Sequence, residues 1–188
     1  MMSKLLGFYV NMKNKIARGD VDKSKEITED IVKRRDINTL KDVSTFIRET
    51  MTWKADPLFG IIDIQRDVDR IKDRDWKDDC DGFSILAKRL TDVLGYKSYM
   101  LTYLPLKIWK AHVICVVETD KSHDLLLTSN NHERKQVAKE LIKNNKPGYI
   151  AICNGIIRGP FKDVDRLIEH YEGLISSKIL TYDIRDGL

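Results

Sequence analysis

The stretch Trp76-Lys77-Asp78-Asp79-Cys80-Asp81-Gly82-Phe83 opens the most regular helical pattern of the chain. From Cys80 onward, apolar residues recur at the three- and four-residue spacing of a helix with one buried side: Phe83, Leu86, Ala87, Leu90, Val93 and Leu94. Gly95 follows the last of them, where a left-handed helix stop favours a residue without a Cβ. Short carboxylates flank Cys80 and can accept hydrogen bonds from the unpaired N–H groups of a first turn. The pattern therefore predicts a helix that begins close to Cys80.

A thiol at the positive end of a helix is favoured as the thiolate, the form that attacks a carbonyl carbon. The chain has three cysteines, Cys80, Cys115 and Cys153, and no Cys-x-x-Cys pair, so neither a zinc knuckle nor a redox dithiol is indicated. Free thiols fit a reducing compartment. Because only Cys80 lies at a predicted helix start, we predict that it is a nucleophile.

Composition indicates an ordinary folded protein. With 188 residues, 42% hydrophobic and 33% charged, the chain suits one domain, or one domain with a small appendage. No run approaches the roughly 18 apolar residues that cross a bilayer, and the amino terminus turns polar too soon for a secretory signal. We therefore expect a cytoplasmic protein without a membrane partner.

A net charge of +4, densest at Lys33-Arg34-Arg35, is weaker than a typical nucleic-acid footprint, so nucleic-acid binding is the less favoured alternative.

Periodicity predicts helices before the Cys80 segment and strands after it. The predicted helices cover residues 3–18, 21–35 and 38–51, a short segment around Val68, then 80–94, 132–143 and 162–174. The predicted strands cover residues 96–103, 111–117, 124–128 and 149–153. This order predicts an α+β protein in which the nucleophile helix packs on a small antiparallel sheet, with residues 1–37 as an N-terminal helical extension.

A cysteine nucleophile needs a histidine as its base and a third group that fixes the ring. Of the four histidines, His112 begins the most apolar strand, on the face of Ile114 and Val116, although a lone half-buried strand histidine is commonly structural. If the next turn is centred near Lys121, antiparallel pairing places Asn130 opposite His112. Asn131 is the register alternative, although a one-residue slip turns its side chain to the other face. A turn or helix-cap role for Asn130 is a competing interpretation.

These residues resemble the transglutaminase-like superfamily of papain-related cysteine enzymes. Its nucleophile motif reads Gly-Asp-Cys-Asp/Glu-Asp before an apolar helix, and Asp79, Cys80 and Asp81 match it. Asp78 stands in place of the glycine, and Gly82 in place of the last acid. The His112 strand and the upstream Trp53-Lys54-Ala55-Asp56 are similar to further elements of that superfamily. The resemblance covers about residues 40–131.

The resemblance implies a papain-like core over residues 38–188, acting as a catalytic domain on a protein or peptide substrate. Cys80 would attack an amide or ester carbonyl, His112 would relay protons, and Asn130 would take the place of the usual Asp. Predicted oxyanion- and substrate-binding residues are Trp53, through its indole N–H, Trp109 and Asp79. Trp53 as a packed aromatic and Trp109 as a cover of the sheet edge are the alternatives. Tyr103 is a further candidate to line the cleft.

Two other interpretations of the site stay open. Acyl transfer to an amine shares the same acyl-enzyme, and a catalytically idle binding module would explain the altered positions 78 and 82. The acidic residues around Cys80 would raise the pKa of its thiol if they stayed close and unpaired. These residues are Asp73, Asp75, Asp78, Asp79 and Asp81. Some bacterial relatives bind calcium near this motif, but the spacing is not that of an EF-hand, so we expect neither a metal nor another cofactor.

Overall fold

The computed structural model describes residues 19–55, 65–107 and 110–185, and within these ranges the protein has seven helices and seven strands. The helices are α1 Val21–Arg34, α2 Leu40–Thr50, α3 Val68–Lys72, α4 Cys80–Val93, α5 Ser122–Leu127, α6 His132–Lys143 and α7 Val164–Ile175. The strands are β1 Thr52–Trp53, β2 Lys77–Asp78, β3 Lys97–Pro105, β4 His112–Thr119, β5 Gly148–Cys153, β6 Ile156–Phe161 and β7 Ile179–Arg185. The predicted α+β class is confirmed.

The main sheet is antiparallel throughout, with the strand order β6-β5-β4-β3-β7. Strands β1 and β2 form a separate parallel pair. Because side chains alternate along a strand, central β4 feeds two cores. Val113, Cys115 and Val117 face the core under α4, whereas Ile114 and Val116 face the core under α7.

Local signals explain where the helices of the α4 side begin and end. Thr39 and Asp42 form a reciprocal capping box at the start of α2. Asp79 is the N-cap of α4, and Gly95 follows its end with a φ of 76°, a conformation that suits a residue without a Cβ. The predicted boundaries of the nucleophile helix are therefore confirmed.

The predicted strand over residues 124–128 is wrong, because these residues lie mainly in α5. A short apolar run such as Leu125-Leu126-Leu127 has no period that separates a strand from a helix. Tertiary contacts decide for the helix: buried Asp124 accepts a hydrogen bond from the Tyr96 hydroxyl at 2.9 Å, and Leu125 packs against Leu141 of α6. The strand that pairs with β4 is instead β5.

Two further differences concern short or interrupted strands. β6 and β7 were not predicted. Pro160 lies inside β6, and proline is tolerated there because β6 is an edge strand. Strand β1, which contains Trp53, was not predicted either. The predicted helix 3–18, Asp56 and Trp109 lie outside the described residues. In the described part of the chain, no helix has the length and apolar character needed to cross a membrane.

Candidate active site

Cys80 is the first residue of α4 and is half-buried against the core. The Oδ1 atom of Asp79 accepts a hydrogen bond from the Asp81 backbone N–H at 3.1 Å, which caps the helix start. Asp79 therefore holds the backbone that carries the thiol. The predicted position of Cys80 at the positive end of a helix is confirmed.

The two departures from the resembled motif contact each other. Asp78 is 1% exposed, and its Oδ1 atom lies 2.7 Å from Nη1 of buried Arg66. A Cβ at Gly82 would lie 2.4 Å from the Asp78 Cβ, closer than real Cβ atoms approach. Because position 78 carries this side chain, position 82 has no room for one. We therefore expect the residues at these two positions to be coupled by packing.

Trp53 lies beside the segment that leads into Cys80. In the parallel pair of β1 and β2, Trp53 is opposite Asp78, and the Lys54 N–H donates to the Asp78 carbonyl at 2.9 Å. The Trp53 ring centroid is 6.2 Å from that of Phe83, and 52% of the residue is exposed. Trp53 is therefore both a neighbour of the nucleophile helix and accessible to a ligand. Its role as an indole donor stays a prediction.

His112 is the first residue of β4 and contacts a thiol that the sequence analysis did not select. Its Nε2 atom lies 3.2 Å from Sγ of Cys153, and its ring centroid is 6.1 Å from that of Tyr103. Cys153 is the last residue of β5 and packs with the core under α7. Burial raises the pKa of Cys153, while the Tyr171 hydroxyl and the positive charge of Arg158 act in the opposite direction.

Cys80 and His112 lie towards the same end of the sheet. The Ser84 hydroxyl donates to the Val113 carbonyl at 2.9 Å, so the first turns of α4 lie at the start of β4. Cys80 precedes Ser84 by one turn, about 6 Å along the helix. Tyr103 provides a second indication, since the pKa of its hydroxyl is raised by burial and also by the nearby thiol groups of Cys153 and Cys80. Tyr103 is itself only 3% exposed, so the expectation that it lines a cleft is wrong.

The hairpin argument for Asn130 is wrong because α5 replaces the strand that would have carried the pairing. Asn130 instead lines a pocket of about 220 Å³ beside α2, together with Arg48, Asp124 and the β5–β6 turn at Gly155. Asn131 caps α6, where its Oδ1 atom accepts the Arg134 N–H at 2.8 Å. The helix-cap role that was considered for Asn130 therefore belongs to Asn131, the next residue. Asn130 as the third catalytic residue stays a prediction without its geometric support.

Asp79, Cys80 and Asp81 are the group of possible metal ligands at this site, with ligand atoms within 4.8 Å of one another. Two carboxylates and one thiol do not match calcium, which takes six to eight oxygen ligands. Other acids of the segment have basic neighbours: Asp75 lies 3.5 Å from Lys77, and Asp73 lies 3.9 Å from Arg70. We assign no metal to the group.

Comparison with models of protein families, with curated proteins and with solved structures gave no match for this chain. The resemblance to transglutaminase-like enzymes therefore depends on the residues and geometry described above.

Proposed function

We propose that this protein is a cysteine hydrolase of the transglutaminase-like class, with a papain-like core, that cleaves an amide bond in a protein or peptide. The observation that carries the proposal is the placement of Cys80 at the capped start of α4, at the end of the sheet where His112 begins β4. A helix start stabilises a thiolate, and a nearby imidazole can take the proton.

In the proposed reaction, His112 accepts the proton of the Cys80 thiol while the sulfur attacks the carbonyl carbon. The imidazolium then gives that proton to the departing amine, and water hydrolyses the acyl-enzyme with His112 again as the base. The oxyanion would be bound by the backbone N–H of Cys80 and by the indole N–H of Trp53. An amine in place of water would give acyl transfer, the transglutaminase-type outcome.

A catalytically idle binding module is the second candidate, and one contact favours it. The Cys80 thiol points to Oδ1 of Asp81 at a distance of 3.8 Å. A carboxylate beside a thiol opposes ionisation, whereas the helix start favours it. The reactivity of Cys80 therefore separates an enzyme from a binding module.

Iodoacetamide labelling of the three thiols tests the proposal directly. We expect Cys80 to be carboxamidomethylated first at neutral pH, since it is half-buried and lies at a helix start. Cys115 is 0% exposed, and burial raises its pKa to about 12, so it should react last. Mass spectrometry of the three cysteine peptides measures the rates. Equal slow labelling of all three would favour the idle module.

The variant His112→Ala tests the base. We expect it to slow labelling of Cys80, because the thiolate loses the imidazole that takes its proton. His132→Ala is the matched control, since His132 is exposed on α6 and contacts Gln136. Unchanged Cys80 labelling in His112→Ala would remove His112 from the mechanism. If Cys80 labelling does depend on His112, a covalent probe that traps the acyl-enzyme, followed by identification of the trapped partner, would define the substrate.

A further inference from the structure

The contact between His112 and Cys153 bears on how the imidazole is held. The two residues lie on neighbouring antiparallel strands, β4 and β5. Cys153 packs with the core under α7, and His112 is opposite Tyr103, a member of that core, so alternation along the strand places His112 on the same face. Nε2 of His112 is the ring atom that meets Sγ of Cys153, at 3.2 Å. An imidazole that works between a nucleophile and an orienting group uses one ring nitrogen for each. The Cys153 contact therefore occupies the position of an orienting group.

We propose that Cys153 is the positioning residue of His112, holding Nε2 so that Nδ1 is presented to Cys80. This inference rests on the proposed function and gives Cys153 the role that was predicted for Asn130. When Nδ1 takes the Cys80 proton, the ring becomes an imidazolium and its Nε2–H donates to the Cys153 sulfur. Cys153 keeps its own proton throughout, so the proton count of the reaction is unchanged.

The surroundings of Cys153 support a neutral, fixed thiol. Three groups from other elements interact with it: Tyr103 from β3, the Tyr171 hydroxyl from α7 and the Arg158 charge from β6. Burial raises the pKa values of Tyr103 and Tyr171, so both hydroxyls stay uncharged. The rings of Tyr103 and Tyr171 are 5.6 Å apart and form one wall around the contact. A thiol held in this way orients the imidazole by accepting a hydrogen bond from its N–H. The bond is a weak one, because sulfur is a weak acceptor.

Three variants separate this role from simple packing. Cys153→Ala removes the acceptor, Cys153→Ser keeps a hydroxyl acceptor, and Cys115→Ala removes a buried thiol from the opposite face of the sheet. The first readout is the set of ¹⁵N imidazole signals of His112 and their titration. The second is the pH dependence of Cys80 carboxamidomethylation.

We expect Cys153→Ala to change the His112 ring signals, shift the Cys80 pH profile and slow labelling at neutral pH about three- to tenfold, the effect that one hydrogen bond carries. Cys153→Ser should restore both readouts, and Cys115→Ala should move neither. Readouts in Cys153→Ala that match those of Cys115→Ala would overturn the inference.

Failure of this inference is distinguishable from failure of the proposed function. Cys80 labelling that does not depend on His112 overturns the proposed function, whatever Cys153 does. Labelling that depends on His112 but not on Cys153 overturns the positioning role and leaves the proposed function standing.

Discussion

Helix α4 covers one face of the main sheet, and α7 covers the other, but the two cores differ in what they bury. Under α4 lies the larger cluster, built from aliphatic and aromatic side chains of α1, α2 and α4 together with β4 and β5. Buried charges at its edge are paired, Arg66 with Asp78 and Arg89 with Asp67. Under α7 lies a smaller cluster, to which α7 is the one helix that contributes within the described ranges.

Among the described residues, the α7 side buries ionisable groups that are not members of buried ion pairs. Tyr103, His112, Cys153 and Tyr171 contact one another there, and His170 packs on Phe161. Burial makes charge on such groups costly, so their proton affinities shift more readily than those of exposed groups. We therefore expect the α4 side to supply most of the stability, while the α7 side holds several buried ionisable groups in their uncharged forms.

The largest expected effect is on the α4 side, at the Arg66–Asp78 ion pair. Asp78→Ala would leave a buried guanidinium without this carboxylate, since the two side chains are 6% and 1% exposed. We expect the free energy of unfolding to fall by about 3–5 kcal/mol, the typical cost of breaking a buried pair by removing one partner. Urea unfolding measures this value.

The matched control is Glu169→Ala on α7, which removes an exposed ion pair with Arg166. Exposed pairs contribute little because water screens them, so this variant should unfold near the wild-type urea concentration. If the two substitutions cost the same, the contrast between the two sides of the sheet would be lost.

Two helical glycines sharpen the comparison at a smaller scale. Gly82→Ala in α4 would place a Cβ 2.4 Å from that of Asp78, and we expect a loss of about 1–3 kcal/mol, as for other overpacked sites. Gly173→Ala in α7 meets no atom within 4 Å and should stabilise the protein by about 0.5–1 kcal/mol through helix propensity. Thermal unfolding of both variants gives the sign of each effect.

A double variant tests the cause of the Gly82 effect. In an Asp78→Gly background, Gly82→Ala should cost clearly less, because the Cβ that it would meet is gone. A cost that is the same in both backgrounds would mean that the exchange of glycine and acid at these positions is not coupled packing.

The sequence was informative where local chemistry determines structure. The capping box at Thr39, the start of α4 at Cys80 and the helix stop at Gly95 each depend on residues within one or two turns. Such signals do not need the tertiary fold to be known. The position of Cys80 at a helix start was therefore predictable in full.

Non-local contacts were the part that the sequence could not supply. Leu125-Leu126-Leu127 fits a strand or a helix equally well, and the choice of α5 depends on contacts with Tyr96 and with α6. Pairing of β4 with β5 rather than with the next segment brings Cys153 to His112. The available signal was the predicted strand over residues 149–153, which ends at Cys153, but its neighbour in the sheet could not be read from the sequence.

The smallest expected effect is a pH dependence on the α7 side, at His170. Its pKa is lowered by burial and by the positive charges of Arg134 and Arg158, while Glu133 acts in the opposite direction. The unfolded chain therefore binds a proton at His170 more readily than the folded protein does. The stability that depends on neutral His170 is present above the unfolded pKa of about 6.5 and is lost as the pH falls below it.

His170→Gln should remove this component, so its urea midpoint should fall less between about pH 7.5 and about pH 5.5 than that of the wild type. His132→Gln, at an exposed position on α6, should keep the wild-type pH dependence. Equal slopes in all three proteins would show that the α7 side does not hold its ionisable groups in the uncharged form.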